Sequence, residues 1–580
     1  MVIDYNYNSR TVDWDGDGVQ DVVRDDFGID LRRLTFYPTW SGENKVKAWT
    51  AYFSDTISFG RMNVKIGLRY DKQTPTPEGR FTQGIYVGSG IETIDWYNSS
   101  DAARVADAQA KYFGSDVAAT LNGIFPRIDA PAEHNTQSWT MFSPRLALTW
   151  DVTGDGKTIA KASGAVYGAY MGVWGGYWSK QAGSQGLRFW WYDQNGNNMI
   201  TLDELYWTEY TGARTAYRAF DDAGNFVGNV DREENLMWWG YDFSNPSNLR
   251  DCRYQIDPDW NTDLTYEGLV SLERELMTDF AVAAYFTWRR YTNFWRTARY
   301  AYESGGELLD EKHYAQAGIV PDSFAGKNPD GTPGTIDMGD AAGRPYYFWA
   351  EGVKNVYDRY VTTWPKEAYD QYFGVDLVVN KRLSNKWMFQ GSITWQDQKR
   401  YRADAKIDNP TNNWALDGTV YAYNIGGASG KLSQPVFSRW MIKAQGLYQL
   451  PWDLNISFSF NAREGHLVDK YIDINDPNWV NPYNRSTEVR LEKFGDRRLP
   501  TFWNLNMRLE KVLRIGDIGR IYLMADAFNV FNNNVMNRQR DIDFGTYYAD
   551  TGYHSYYSRA GEPNEILNPR IFRFGVRFQF

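Results

Sequence analysis

Apolar and polar residues alternate strictly in several parts of the chain, most clearly at its C-terminal end. From residue 572 to residue 580 every second residue is apolar: Phe572, Phe574, Val576, Phe578 and Phe580. The same period of two recurs over 62–70, 387–396 and 452–461. Because successive side chains of a β-strand point to opposite faces, each segment is predicted to be a strand with one apolar and one polar face.

Nine further segments favour strands, which brings the predicted number to about thirteen. They lie near 45–54, 140–151, 157–169, 262–275, 279–294, 368–382, 435–449, 500–512 and 519–532. Many exceed the roughly 5–6 residues of an ordinary strand and match the roughly 9–11 residues of a tilted membrane-spanning strand. We therefore predict an all-β chain that forms a transmembrane antiparallel β-barrel, with its polar face towards the lumen.

The predicted connections alternate between short and long. Short links occupy 54–60, 152–157, 383–386, 450–452 and 514–519, whereas long ones occupy 71–139, 170–261, 295–367, 402–434, 462–499 and 533–568. Short turns on one side and long extracellular loops on the other are typical of outer-membrane barrels. The outer-membrane lipid is then the first expected partner.

Composition excludes several other classes. The 580 residues contain 62 Lys+Arg and 72 Asp+Glu, a formal net charge of −10, and no basic run that would favour nucleic acid as a partner. One Cys and four His leave little material for a disulfide, a zinc site or a His-based triad. With no phosphate-binding glycine loop and no serine nucleophile elbow, we do not expect an enzyme.

Several motifs resemble the C-terminal barrel of TonB-dependent outer-membrane receptors, in particular the Oar-like receptors with a carboxypeptidase-regulatory-like domain. They are AYFSDTISFG and MNVKIGLRYD at 51–71, SPRLALTWDVTGDGKT at 143–158, RRLPTFWNLNMRLEKV at 497–512, LMADAFNVFN at 523–532 and NPRIFRFGVRFQF at 568–580. The terminal Phe580 resembles the signal for outer-membrane insertion. The resemblance implies a cell outer-membrane receptor that binds a nutrient, such as an oligosaccharide, a peptide or a chelated metal, and imports it with energy from TonB.

The family's barrel has 22 strands around a plug, so about thirteen strands lead us to expect that residues 1–580 are the C-terminal part of such a barrel. The plug domain, the TonB box and the first strands are expected to be absent, in a truncated fragment or in one half of a split receptor. A complete small barrel is the alternative. A barrel that displays loops for adhesion or surface assembly, and a soluble aromatic-rich binding module, are the alternative functions.

One motif in the 170–261 loop insertion predicts calcium binding. It places oxygen ligands at positions 1, 3, 5, 7, 9 and 12 of an EF-hand loop: Asp193, Asn195, Asn197, the Met199 carbonyl, Thr201 and Glu204. Alternate residues of such a loop point inward, and Glu at position 12 reaches back with both oxygens. Asn198 stands where glycine is expected, but Asn tolerates the left-handed conformation. The alternative is a polar turn without a metal.

A second acidic segment near the N-terminus has the first half of the same pattern. Asp13, Asp15, Asp17 and Asp21 are closely spaced, but Arg24 occupies position 12. Carboxylates this close repel one another unless a cation or water lies between them. Calcium and a solvated acidic turn are both open here, whereas the similar stretch 151–158 is predicted to be a hairpin turn.

The 170–261 loop is rich in aromatic residues. The candidates for ligand binding are Trp174, Trp178, Trp190, Trp191, Trp238 and Trp239. Exposed aromatic rings stack on sugars or anchor a peptide or protein partner. The alternative is that the long loop uses them to pack a small core of its own.

Overall fold

A sheet of thirteen antiparallel strands dominates the computed structural model. The structure describes residues 45–75, 117, 120, 138–170, 189, 191, 194–197, 199–206, 218–227, 256–302, 306–325, 332–354, 360–420, 437–516, 518–539, 547 and 562–580, and backbone alone for the remaining parts of the strands given below. We call these thirteen strands the main sheet. Each strand pairs with its neighbours along the chain, so the sheet is an antiparallel meander.

The main-sheet strands are 9 to 16 residues long. Their bounds are β1 Asn44–Phe59, β2 Met62–Pro77, β3 Trp139–Asp151, β4 Thr158–Gly168, β5 Leu264–Met277, β6 Phe280–Thr292, β7 Tyr369–Ser384, β8 Trp387–Tyr401, β9 Trp440–Leu450, β10 Leu454–Arg463, β11 Phe502–Ile515, β12 Gly519–Phe528 and β13 Ile571–Gln579. Among the described residues, β1 pairs only with β2 and β13 only with β12.

All thirteen predicted strands are confirmed, but the link predicted at 54–60 is wrong. Residues up to Phe59 continue β1, and the turn follows at Gly60. The prediction failed because Asp55 occupies a position on the apolar side of β1, between the exposed Phe53 and Ile57, and breaks the period of two. The Asp55 carboxylate accepts a hydrogen bond of 2.8 Å from the Thr56 backbone N–H.

The main sheet has one apolar and one polar face. On the apolar face of β13, Phe574 and Phe578 are 79% and 64% exposed, and large apolar side chains are exposed on many neighbouring strands as well. On the polar face, Asp526 of β12 lies 2.6 Å from Arg508 Nε of β11 and 2.8 Å from Arg573 Nη2 of β13. Ion pairs thus join adjacent strands on one face, while the other face exposes hydrocarbon.

Short turns join the strands at one end of the sheet, as predicted for 151–158. Asp151 accepts hydrogen bonds from the backbone N–H groups of Gly154 and Gly156 through its two carboxylate oxygens, at 2.8 and 2.9 Å. Both glycines have positive φ angles, 80° and 75°. This backbone conformation explains why glycine is used there.

The remaining elements precede β1 or lie in the long connections. The further strands are Val2–Asp4, Arg10–Val12, Asp21–Val23, Arg32–Ser41, Arg80–Tyr86, Asp129–Ala130, Gly186–Trp191, Leu205–Tyr210, Arg214–Arg218, Trp238–Trp239, Tyr254–Ile256, Trp295–Arg299, Tyr314–Ile319, Ser323–Lys327, Pro333–Asp337, Pro345–Trp349, Arg359–Thr363, Asn424–Gly426, Ser433–Pro435, Lys470–Asn475, Ser486–Arg490, Met536–Gln539, Ile542–Tyr548, Tyr553–Ser555 and Pro563–Ile566. An α-helical turn spans Asn413–Leu416, and 3₁₀ turns span Leu202–Glu204, Glu311–His313, Gly339–Ala341, Ala403–Ala405 and Pro410–Asn412. Of the helices in the described part of the chain, none combines the length and the apolar character that crossing a membrane requires.

Three long connections pack together at the other end of the main sheet. We call the described residues of 306–354, 402–420 and 464–501 the loop cap. Its apolar core includes Phe348 from the first segment and Ile472 and Val489 from the third, all buried. Trp414 of the second segment packs against the same core. The cap is therefore a single packed unit built from different loops.

Polar contacts lock the cap segments to one another. Asn481, which is 2% exposed, donates hydrogen bonds to the carbonyl oxygens of Ala350 and Val353 at 2.6 and 2.7 Å. Gly339 has a φ of 52°, and a Cβ atom there would lie 2.9 Å from the carbonyl oxygen of Leu491. Glycine at this position lets the first and third segments approach closely.

We predict that Asn481→Ala loosens the cap. The substitution leaves the buried Val353 carbonyl without a donor, at a cost of about 1–3 kcal/mol. It also removes the 2.6 Å hydrogen bond to the Ala350 carbonyl, which keeps only the Val353 N–H as a donor, at 3.3 Å. Hydrogen exchange should become faster in both 345–353 and 472–491 while the main sheet stays protected. The matched control is Asn478→Ala, because Asn478 is exposed and only its backbone N–H is engaged, to Asp476. Equal exchange in the two variants would contradict the assigned role of Asn481.

Candidate functional site

Two paired strands flank the calcium motif, of which the structure describes residues 194–197 and 199–204. Trp191 and Leu205 are partners across the antiparallel pair that flanks it. Glu204, predicted as the bidentate ligand at position 12, is 1% exposed and turned into the loop. Its carboxylate accepts hydrogen bonds of 3.1 Å from the Trp191 indole, the Gln194 backbone N–H and the Asn195 side-chain amide.

The other described members of the motif bond to the loop backbone. Asn195 Oδ1 accepts a hydrogen bond from the Asn197 N–H at 3.0 Å, and Asn197 Oδ1 accepts one from the Met199 N–H at 2.7 Å. The buried Thr201 hydroxyl oxygen has no hydrogen-bond partner. Asp193 lies outside the described residues. Within the described residues, no group of three or more His, Cys, Asp or Glu side chains is arranged to hold a metal ion, so calcium binding stays a prediction.

Most of the other predicted metal- and ligand-binding residues lie outside the part of the chain that the structure describes. Five of them lie outside the described residues: Asp13, Asp15, Asp17, Trp174 and Trp178. Four others are described only as strand backbone: Asp21, Trp190, Trp238 and Trp239. Trp191 is described and is 1% exposed. Its ring belongs to the interior of the loop, with its indole N–H bound to Glu204, so Trp191 is not available for stacking on a ligand.

A cavity of about 310 Å³ lies where the loop cap meets the ends of β7 and β8. The strand ends contribute Asp370 and Arg400, and the cap contributes Arg402, Asp408 and Asn413. The lining is completed by Phe294, Trp364, Asn409, Asn412, Leu416 and Asp417. Charged, amide and aromatic side chains from separate parts of the chain thus surround one space.

Arg402 organises one side of this cavity. Its Nη2 lies 2.9 Å from Asp370, and its Nη1 donates to the carbonyl oxygens of Tyr369 and Tyr401 at 2.8 and 2.9 Å. The guanidinium carbon lies 4.6 Å from the ring centre of Phe294 and 5.2 Å from that of Trp364. Stacking and ion pairing fix this side chain, so it is part of a preformed lining.

Asp408 and Asn413 have no such internal bonds. Within the described part of the chain, neither side chain takes part in a hydrogen bond with the protein, and Asp408 is accessible to solvent. The surrounding protein partly desolvates the Asp408 carboxylate and so raises its pKa, and the nearby guanidinium groups of Arg296, Arg402 and Arg400 oppose that shift. Burial also lowers the pKa of Arg296, which Asp408 opposes. The two open polar side chains can therefore bind a molecule that enters the cavity.

None of the site residues predicted from the sequence lines this cavity. The polar run DNPTNN at 408–413, in the connection that follows β8, is a local signal for the cavity. Asn409 and Asn412, two amides of this run, hold the cap together. Asn409 binds Thr487 at 3.1 Å, and Asn412 binds the Glu488 carbonyl at 2.7 Å. Which of these amides stays open depends on the packing of the cap.

Comparison with known proteins gives structural neighbours only. No protein-family model matches the sequence, and no curated protein matches it. The outer-membrane transporter YddB from Escherichia coli is similar with a TM-score of 0.36 at 9% identity, over 95% of this chain and 60% of that protein. The siderophore receptor PirA from Acinetobacter baumannii gives 0.32 at 9% identity, over 100% and 59%.

The pyoverdine outer-membrane receptor FpvA from Pseudomonas aeruginosa gives a TM-score of 0.31 at 10% identity, over 95% of this chain and 54% of that protein. The chain thus spans 54% to 60% of the length of these three proteins.

Proposed function

We propose that this chain forms the wall of an outer-membrane receptor that binds a nutrient on its long-loop side and imports it. The observation that carries the proposal is the division of the main sheet into two faces. Phe574, Val576 and Phe578 expose hydrocarbon on one face. This exposure is unfavourable in water and favourable in lipid. The opposite face carries ion pairs across adjacent strands, as expected for a hydrated interior.

Further ion pairs extend this polar face across the sheet. Lys161 of β4 lies 2.6 Å from Glu273 of β5, and Glu267 of β5 lies 2.6 Å from Arg289 of β6. Such pairs are costly where they are surrounded by lipid and are accepted on a face that contacts water or protein. They support an inner surface along which polar solutes pass.

The loop cap and its cavity support binding rather than display alone. A surface adhesin needs exposed loops, whereas a receptor needs a preformed space with polar groups left open, as Asp408 and Asn413 are. We further propose that TonB supplies energy through a plug domain, as the motifs at 143–158, 523–532 and 568–580 suggest. We also propose that this receptor is of the Oar-like type.

The lipid-facing assignment is tested by spin labels on β8. Ile393 is 50% exposed on the apolar face, and the adjacent Ser392 points to the polar face. In a Cys252→Ser background, we expect a nitroxide at Ile393→Cys in lipid bilayers to collide with oxygen and to be shielded from a water-soluble nickel complex. A nitroxide at Ser392→Cys should show the reverse. The measurement is power-saturation electron paramagnetic resonance.

The adjacent pair provides its own control, since both labels sit at the same depth in one strand. Equal access of the nickel complex to both positions would show that both faces contact water, and it would contradict the membrane assignment. Recovery of the protein in the soluble fraction without detergent would do the same and would favour a soluble binding module.

We also propose that the loop at 193–204 binds calcium. Asp193 and Glu204 supply the two full carboxylates, which favours a weak site in the range of about 10⁻⁴–10⁻³ M. Glu204 then exchanges its three hydrogen bonds for the metal, and the buried Thr201 hydroxyl gains a partner directly or through water. The acidic segment at Asp13, Asp15, Asp17 and Asp21 is a second candidate for the same ion.

Protease protection of the 170–261 loop tests the calcium proposal. Millimolar calcium should slow cleavage of the wild-type loop relative to chelator. Glu204→Ala should cleave faster even in chelator, because the Trp191 indole loses its acceptor, and it should gain nothing from calcium. Asp203→Ala is the control, since the exposed Asp203 occupies position 11, which points away from the ion.

Two results would contradict calcium binding. One is wild-type cleavage that is independent of calcium. The other is a calcium effect that survives in Glu204→Ala. In the first case, faster cleavage of Glu204→Ala would still identify Glu204 as the residue that closes the loop by hydrogen bonds.

A further inference from the structure

We propose that the cavity between the loop cap and the ends of β7 and β8 binds one ring of a neutral sugar. The inference rests on the proposed receptor function and gives it a substrate class. The groups that carry it are the open side chains of Asp408 and Asn413, the guanidinium groups beside them, and the apolar surfaces of Trp364 and Leu416.

The charges of the cavity are balanced before any ligand enters. Two guanidinium groups, from Arg400 and Arg402, line it together with the carboxylates of Asp370, Asp408 and Asp417, and Arg296 lies near Asp408. An anionic ligand would meet the open carboxylate of Asp408. A cationic ligand would be repelled by the three guanidinium groups, which already compensate the negative charge of Asp408. The balance favours a molecule without net charge.

The open groups require a ligand that both donates and accepts hydrogen bonds. The carboxylate of Asp408 accepts hydrogen bonds, and the side-chain amide of Asn413 both donates and accepts them. A hydroxyl group can satisfy each of these partners. Two neighbouring hydroxyl groups of a sugar ring can therefore bind Asp408 and Asn413 together without leaving a buried polar group unpaired.

The shape of the cavity suits a compact ring. Its volume of about 310 Å³ is at the lower end of the roughly 300–1,000 Å³ of ligand pockets. Phe294, Trp364 and Leu416 supply apolar surface next to the polar groups. A sugar ring presents hydroxyl groups at its edge and C–H groups on its faces, which matches this mixture. An extended chain would need an open groove.

Calorimetry with the full chain in detergent tests the inference. The probes are the methyl pyranosides of glucose, galactose, mannose and N-acetylglucosamine, with citrate as the anionic probe and spermidine as the cationic one. At least one pyranoside should bind, and neither charged probe should bind as tightly. Asp408→Asn, which keeps the shape of the side chain, and Asn413→Ala should each weaken that binding at least tenfold.

Asp404→Asn is the matched control, because Asp404 is an exposed carboxylate in the same segment and does not line the cavity. It should bind the pyranoside as the wild type does. Circular dichroism checks that each variant is folded.

Three outcomes would overturn the inference: no binding of any pyranoside, tighter binding of citrate or spermidine, or pyranoside binding that Asp408→Asn leaves unchanged. The spin-label result on β8 does not depend on these measurements, so the receptor proposal and the sugar assignment can fail separately.

Discussion

Backbone hydrogen bonding between consecutive strands is the interaction on which the rest of the molecule depends. Each main-sheet strand pairs antiparallel with the next strand along the chain, from β1 to β13. This pairing satisfies the peptide groups within the sheet and forces successive side chains to opposite faces. The apolar face, the polar face with its ion pairs, and the separation of short turns from long loops all follow from it.

The polar face and the loop cap provide partners for their charged and polar groups in different ways. On the polar face, opposite charges on adjacent strands form ion pairs, and Arg508 and Arg573 both pair with Asp526. In the cap, segments without long strands bury an apolar core and use amides such as Asn481 to satisfy buried carbonyl groups. The ends of β7 and β8 contact the cap, where Asp370 pairs with Arg402.

The candidate cavity combines these two kinds of structure. Asp370 and Arg400 come from strand ends, whereas Asp408 and Asn413 come from the cap. The ion pair between Arg402 and Asp370 connects them at 2.9 Å. A site of this kind is positioned by the sheet but shaped by loops, so changes in the loops can alter its ligand without disturbing the strands.

The sequence by itself determined the thirteen strands, their two faces and most of their turns, because alternation of apolar and polar residues is a local signal that reports the pleat directly. It misplaced the end of β1, where Asp55 interrupts the apolar positions. Only the tertiary structure decided which polar residues of the loops act together. Phe294, Trp364 and Asn413 are far apart in sequence and meet because the strands return to the same edge. It also decided that Trp191 is buried and that Asn409 and Asn412 are already bonded while Asn413 is open, because these states depend on packing between segments that no local pattern records.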